Sequence, residues 1–257
     1  MLQNQRHQAI IQYLSANDHL TLQNAANMLD AATATIRRDF TILANQNLVE
    51  RFRGGVRPKR QTIQGMLPFA LRKMAFSKEK EALAKCAASL IKNGNVIFID
   101  AGTTTFHMAM CLPNIELRVI TNSLRLATAL EEQYTYNSGL EIYLTGGFLY
   151  TKSGILLGPN TEAALKQYHA DWTFLSIGGI NEDGITNTNE LVTEAERIMI
   201  QNARKVAVLA DPGKIGKTAM CRICGLDRID FLITTPCPEN EETLQKFREK
   251  GLKIITA

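Results

Sequence analysis

Apolar residues recur at two different spacings along this chain, and the change of spacing divides it. Ile10, Ile11 and Leu14 repeat as one face of a helix does, so a helix is expected near residues 4–15. Leu22, Ala25, Ala26 and Leu29 share a second helical face behind Thr21, a residue type that caps helix starts. After the short break Asp30-Ala31-Ala32, the stripe Ile36, Phe40 and Leu43 predicts a third helix over Thr33–Asn45. Two helices joined by so short a turn are a helix-turn-helix candidate. Residues 48–53 then alternate with the two-residue period of a strand, placing Arg51 and Arg53 on one face, and Gly54-Gly55 supplies a hairpin turn.

The periodicity lapses over residues 58–76, around Pro58, Gly65 and Pro68, which reads as a linker. Leu83, Cys86, Ala87, Leu90 and Ile91 mark another amphipathic helix, and beyond it short apolar runs alternate with helical stretches. Strands are expected at 96–99, 118–121, 140–144, 173–177, 205–209, 231–234 and 253–256. That alternation predicts an α/β domain with a mostly parallel sheet. The expected division is therefore a winged helix-turn-helix reader at 1–57, a linker at 58–76 and a larger domain at 77–257.

Charge sharpens this division. Residues 1–60 hold eight basic and four acidic groups, a net of +4, whereas the remaining 197 residues hold 21 of each. Five of the eight basic groups (Arg51, Arg53, Arg57, Lys59, Arg60) follow the third helix closely. A polyanion partner is expected at the first domain and not elsewhere. Each helical residue advances about 100° around the axis, so Arg38 lies about 200° from buried Ile36, while Arg37 lies to one side at about 100°. Arg38 is expected in the major groove of double-stranded DNA and Arg37 at a flanking phosphate or base edge. Thr33, Ala34 and Thr35 are small enough for the first turn of the helix to approach the duplex closely. Arg51, Arg53, Gly54 and Gly55 form the wing beside it.

The chemistry of the second domain collects where its strands end. The strand at 96–99 runs into Asp100, Gly102, Thr103, Thr104 and Thr105 at an expected helix start, where backbone N–H groups and hydroxyls can cradle an anion. Thr121, Asn122 and Ser123 follow the second strand, Gly146 and Gly147 the third, Gly178 the fourth, and Asp211 with Lys214 the fifth. In a parallel sheet these ends share one edge, where ligands bind. Lys152 and Lys214 are the cations available to it. No cofactor or metal is expected: the loop is neither a Walker A motif nor a dinucleotide fingerprint. Cys221-Arg222-Ile223-Cys224 is a lone C-x-x-C with no second ligand pair. Five scattered cysteines, a polar amino terminus and no long apolar run suit a cytoplasmic protein with free thiols and no membrane partner.

The run Thr33-Ala34-Thr35-Ile36-Arg37-Arg38-Asp39-Phe40, with Arg51-Phe52-Arg53-Gly54-Gly55, resembles the reader of the DeoR family of bacterial transcriptional regulators. So do Asp100-Ala101-Gly102-Thr103-Thr104, Thr121-Asn122-Ser123, Gly146-Gly147 with Lys152, Gly178-Gly179-Ile180 with Gly184-Ile185-Thr186, and Leu209-Ala210-Asp211 with Lys214. The resemblance implies a sensor domain related in fold to ribose-5-phosphate isomerase that binds a phosphorylated sugar or related effector. It also implies repression of a carbohydrate catabolic operon by a homodimer or homotetramer. The chain departs from the family pattern in four places. Ala32 replaces the capping serine, so either Thr33 caps or the helix start is weaker. Arg53 replaces a wing histidine, Pro212-Gly213 two serines, and Glu196 a frequent lysine. Two other readings compete with a regulator. An isomerase-like enzyme would draw its acid and base from Asp100, Glu194, Lys152 and Lys214, and a constitutive architectural DNA binder would need no ligand.

Overall fold

The computed structural model describes residues 2–46, 48–58, 69–134 and 139–257. It divides into two compact units, Met1–Ser77 and Lys78–Ala257.

The first unit contains helices α1 (Gln3–Ala16), α2 (Leu22–Leu29) and α3 (Thr33–Asn45) and strands β1 (Leu20–Thr21), β2 (Val49–Phe52) and β3 (Gly55–Pro58). Ile10, Ile11, Leu14, Ala25, Ile36, Phe40 and Leu43 close its core, so the apolar stripes face inward together. Thr21 caps α2 by accepting from the Asn24 N–H at 3.2 Å. Asp30, in the left-handed region at φ 45°, turns the chain out of α2. The three strands pair antiparallel in the order β1, β3, β2.

Three details differ from the sequence reading. Phe52 pairs with Gly55, so the hairpin turn is Arg53-Gly54 and Arg53 lies in the turn beyond the strand. Gly54 supplies the positive φ of 98°, whereas Gly55 is needed for proximity: a Cβ there would meet the Leu20 carbonyl oxygen at 2.4 Å. Helix α4 (Phe69–Met74) occupies part of the stretch read as linker. It is too short for its period to show in sequence, and Phe69 and Ala75 are buried around it. The rest of that stretch, 59–68 with Lys59 and Arg60, lies outside the described residues.

The second unit is built on a seven-stranded sheet. Its strands are β4 (Asn95–Ile99), β5 (Leu117–Thr121), β6 (Leu140–Leu144), β9 (Ala170–Ser176), β12 (Ala203–Leu209), β14 (Phe231–Thr234) and β15 (Lys253–Thr256). They run in the order β15, β14, β12, β9, β4, β5, β6, and every neighbouring pair is parallel. All seven expected strands are therefore in one sheet. Both faces are covered, which is why the strands read as apolar runs rather than alternating ones. Helices α5 (Ser77–Ala88) and α6 (Leu124–Gln133) pack with Ile97, Ile99 and Val119 on one face. Helices α7 (Pro159–Leu165), α8 (Glu190–Gln201) and α9 (Glu241–Glu249) pack with Phe98, Ile120 and Leu175 on the other. A hairpin of β7 (Phe148–Tyr150) and β8 (Ile155–Leu157) follows β6. A small sheet joins β10 (Gly179–Asn181), β11 (Gly184–Asn187) and β13 (Cys221–Cys224).

From β4 the chain builds outward through β5 and β6, then returns to place β9 on the other side of β4. The crevice between the carboxyl ends of β4 and β9 is thus the switch point of the sheet, where open α/β folds bind ligands.

Candidate nucleic-acid interface and effector site

On α3, Thr33, Ala34, Arg37 and Arg38 are exposed while Ile36, Phe40 and Leu43 are buried. Ala32 is the N-cap, and its side chain makes no capping bond. Its carbonyl accepts from Thr35 and Ile36 instead, so Thr33 is the first helical residue and does not cap. The helix therefore starts without the roughly 1 kcal/mol a side-chain cap contributes.

The sequence reading gave no role to Asp39, which is 1 % exposed. Arg6 of α1 reaches it through two nitrogens, Nε to Oδ2 at 2.7 Å and Nη2 to Oδ1 at 3.1 Å, and His7 Nε2 lies 3.1 Å from Oδ1. This contact fixes the rotation of α3 against α1, and it withdraws Arg6 from the basic surface. Arg57 is likewise engaged by Glu50, its cross-strand partner, at 3.0 Å. Arg37, Arg38, Arg51 and Arg53 have no acidic partner among the described residues and are exposed. Arg51 Nη1 donates to Thr41 Oγ1 at 3.1 Å, and Thr41 donates to the Arg37 carbonyl at 2.9 Å. The wing is thereby tied to the outer face of α3, and four uncompensated guanidinium groups are presented on one helix and one hairpin.

In the second unit, Asp100 sits at the end of β4 and Ser176 at the end of β9, on the two sides of the switch point. Asp100 is buried, and its carboxylate accepts from Ser176 Oγ at 2.9 Å, from the Gly102 N–H at 3.3 Å and from the Thr105 hydroxyl. Burial nevertheless outweighs these donors and pushes its pKa from 3.8 up to about 6. A Cβ on Gly102 would fall 1.4 Å from Ser176 Oγ, so the close crossing of the two strand ends requires glycine. The expected helix after this loop is a 3₁₀ turn, Thr105–Met110. The N–H groups of Thr103 and Thr104 make no hydrogen bond among the described residues.

Several other expected site residues are already engaged by the fold. Ser123 caps α6 at Leu126, and Thr121 Oγ1 accepts from the Ser123 N–H. Asn122 donates to the Leu156 carbonyl at 3.2 Å, while its buried Oδ1 has no partner among the described residues. Gly146 and Gly147 have positive φ, and the Gly146 carbonyl accepts from Thr161 at 2.6 Å. Gly178 has no room for a side chain beside Ala219 and Asn187. Asp211 pairs with buried Lys80 of α5 at 3.8 Å and accepts from the Gly213 N–H. Lys152 is exposed between β7 and β8, and Lys214 is half-buried in the turn Pro212–Lys214.

The residues missed by sequence reading are Ser176, Lys80 and Asn187. Ser176 could have been found as the polar residue closing an apolar run. Lys80 could not, since it lies among exposed charges in sequence. Asn187 donates to Glu196 Oε1 at 2.6 Å, and Glu196 is 1 % exposed, with desolvation and the neighbouring Asp100 raising its pKa well above the usual range. Cys221 and Cys224, three apart on β13, point to opposite sides of the strand. No group of three or more His, Cys, Asp or Glu among the described residues could hold a metal ion. No helix among them is long and apolar enough to cross a membrane.

Fold and site thus define a DNA reader of the winged helix-turn-helix class joined to an α/β ligand-sensing domain. Residues 6–62 match the DeoR-like helix-turn-helix domain and residues 75–235 the DeoR C terminal sensor domain. The chain is 36% identical to the HTH-type transcriptional repressor GlcR of Bacillus subtilis, over 99% of this chain and 96% of that protein. It is 32% identical to the Glycerol-3-phosphate regulon repressor of Escherichia coli, over 93% of each. Among solved structures, ribose 5-phosphate isomerase A from Methanocaldococcus jannaschii aligns over 55% of both chains, with 19% identity and a TM-score of 0.37. The chain belongs to the DeoR family of transcriptional regulators. Its two domains are those of a DNA-binding transcriptional regulator.

Proposed function

We propose that this repressor holds a carbohydrate catabolic operon silent and leaves its operator when a phosphorylated sugar binds at the carboxyl edge of the seven-stranded sheet. The observation that carries this is the switch-point loop. Thr103 and Thr104 offer N–H groups that the described residues leave unused, beside a polar strand crossing at Asp100, Gly102 and Ser176. An anionic phosphate at those N–H groups, with a sugar hydroxyl donating to Asn122 Oδ1, would complete both. The names of the relatives support the ligand class, one of them being a glycerol-3-phosphate regulon repressor.

In the first unit, Arg38 reads base edges in the major groove. Arg37, Arg51 and Arg53 neutralise phosphates, while Thr33, Ala34, Thr35, Gly54 and Gly55 let the backbone approach. The chain acts as a homodimer or homotetramer, which presents paired readers to repeated half-sites.

The test is a screen of sugar phosphates for a rise in melting temperature of the full chain, followed by release of the DNA upstream of its own gene. A ligand that binds the native state must raise the melting temperature. The expected result is at least one sugar phosphate that does both. Thr104→Glu, which sets a negative charge at the cradle, should keep DNA binding and lose release. A full response in that variant refutes the cradle.

A further inference from the structure

Glu196 is a buried carboxylate with half of its hydrogen-bonding capacity unused. It projects from α8, with Oε1 held by Asn187 of β11, and Oε2 has no partner among the described residues. Its other electrostatic neighbours are Asp100, at the switch point, Arg197 and the Cys224 thiol. Arg197 is itself committed to Glu194 and to the carbonyls of Ile223 and Arg222. Glu196 and Asp100 are therefore two buried carboxyl groups, the charge of Asp100 opposing ionisation of Glu196, and none of the described cations forms an ion pair with either.

Like charges at low dielectric raise each other's cost, and a buried acceptor without a donor costs more again. A hydroxyl donor would satisfy Oε2 yet leave the repulsion in place. An ammonium group would do both: it donates to Oε2 and lets both carboxylates ionise. Gly102, which donates to Asp100, and Asn187, which donates to Glu196, are both part-exposed.

We infer that Glu196 selects the effector, and that the ligand class is an amine-bearing sugar phosphate whose ammonium sits between Glu196 and Asp100. The inference rests on the effector reading above, with the phosphate at the Thr103 and Thr104 N–H groups and the ammonium on the side of α8.

The experiment titrates the full chain at neutral pH with matched pairs of probes: glucosamine, galactosamine and mannosamine 6-phosphates against the corresponding glucose, galactose and mannose 6-phosphates. Melting temperature and release of upstream DNA are the readouts. For at least one pair the amine form should bind about tenfold or more tighter, the worth of one charge-assisted hydrogen bond. Glu196→Gln, of the same shape, should bring the two members of that pair together. Equal or tighter binding of the hydroxyl form throughout overturns the inference, and so does an amine preference that survives in Glu196→Gln. The wild-type pairs decide the matter even where the variant does not fold. If hydroxyl sugar phosphates release DNA and amines do not, the function proposed above stands and this inference falls. If no sugar phosphate of either kind acts, both fall.

Discussion

Single side chains carry the two chemistries of this chain. Arg38 lies outermost on α3 and has no acidic partner among the described residues. Arg38→Ala should lose about 1–3 kcal/mol of discrimination between operator and unrelated DNA, as expected for one bidentate base contact, while its melting temperature stays put. Competition binding against random DNA checks this; an unchanged ratio would remove Arg38 from the major groove. Asp100 makes a prediction in pH. Its carboxyl group titrates near 6 in the folded chain against 3.8 ordinarily. Between those values the native state binds a proton that the unfolded chain has released, so stability falls as pH rises from about 4 to about 6 and is level in this respect above it. The drop is on the order of 3 kcal/mol. Denaturant unfolding of wild type and Asp100→Asn across this range should give curves whose difference slopes downward with pH. Parallel curves would mean that Asp100 ionises as freely as in the unfolded chain.

At the scale of elements, the hydrophobic pattern was enough to find the three reader helices, the wing and all seven sheet strands, because each buries a full stripe or a continuous apolar run. It failed where spacing stops mattering. Helix α4 is barely more than one turn, and β1 has two residues whose pairing with β3 depends on Gly55. The same limit applied to the sites. The polar and glycine-rich runs just beyond strand ends were legible because they stand out after an apolar run, whereas Ser176, the last residue of β9 itself, was passed over. Contacts made across long separations, Arg6 with Asp39, Lys80 with Asp211 and Asn187 with Glu196, have no local signature. Strand β1 yields a test of the wing. Gly55→Ala would push a methyl group into the Leu20 carbonyl, so it should destabilise the first unit by about 1–3 kcal/mol. On the proposal that the wing carries phosphate contacts rather than base readout, it should also weaken binding to all DNA sequences alike. Calorimetry of the full chain reads the first effect; selective loss of operator binding would contradict the second.

Across the whole molecule, the charge division gives each half its own task. The sensor unit, Lys78–Ala257, is slightly acidic at −2 and the reader unit, Met1–Ser77, carries +6, so salt should act on DNA binding and scarcely on the sheet edge. Each phosphate contact adds about 0.9 to the slope of log affinity against log salt. Arg53→Ala should therefore flatten the slope by about 1 per reader engaged, measured by titration at several salt concentrations. The effector acts on the same equilibrium from the other side. A ligand that lowers operator affinity must favour the arrangement that DNA disfavours; one that bound both arrangements equally would switch nothing. Thermodynamic linkage then requires that operator DNA weaken the effector by the same factor, about 5- to 150-fold for ordinary coupling. Calorimetric titration of a releasing sugar phosphate into free repressor and into the repressor–operator complex should return two dissociation constants in that ratio. The ratio should match the loss of operator affinity at saturating effector. If the effector bound both forms equally while DNA still dissociated, release would come from competition at the reader itself, and the sheet edge would lose its role as the switch.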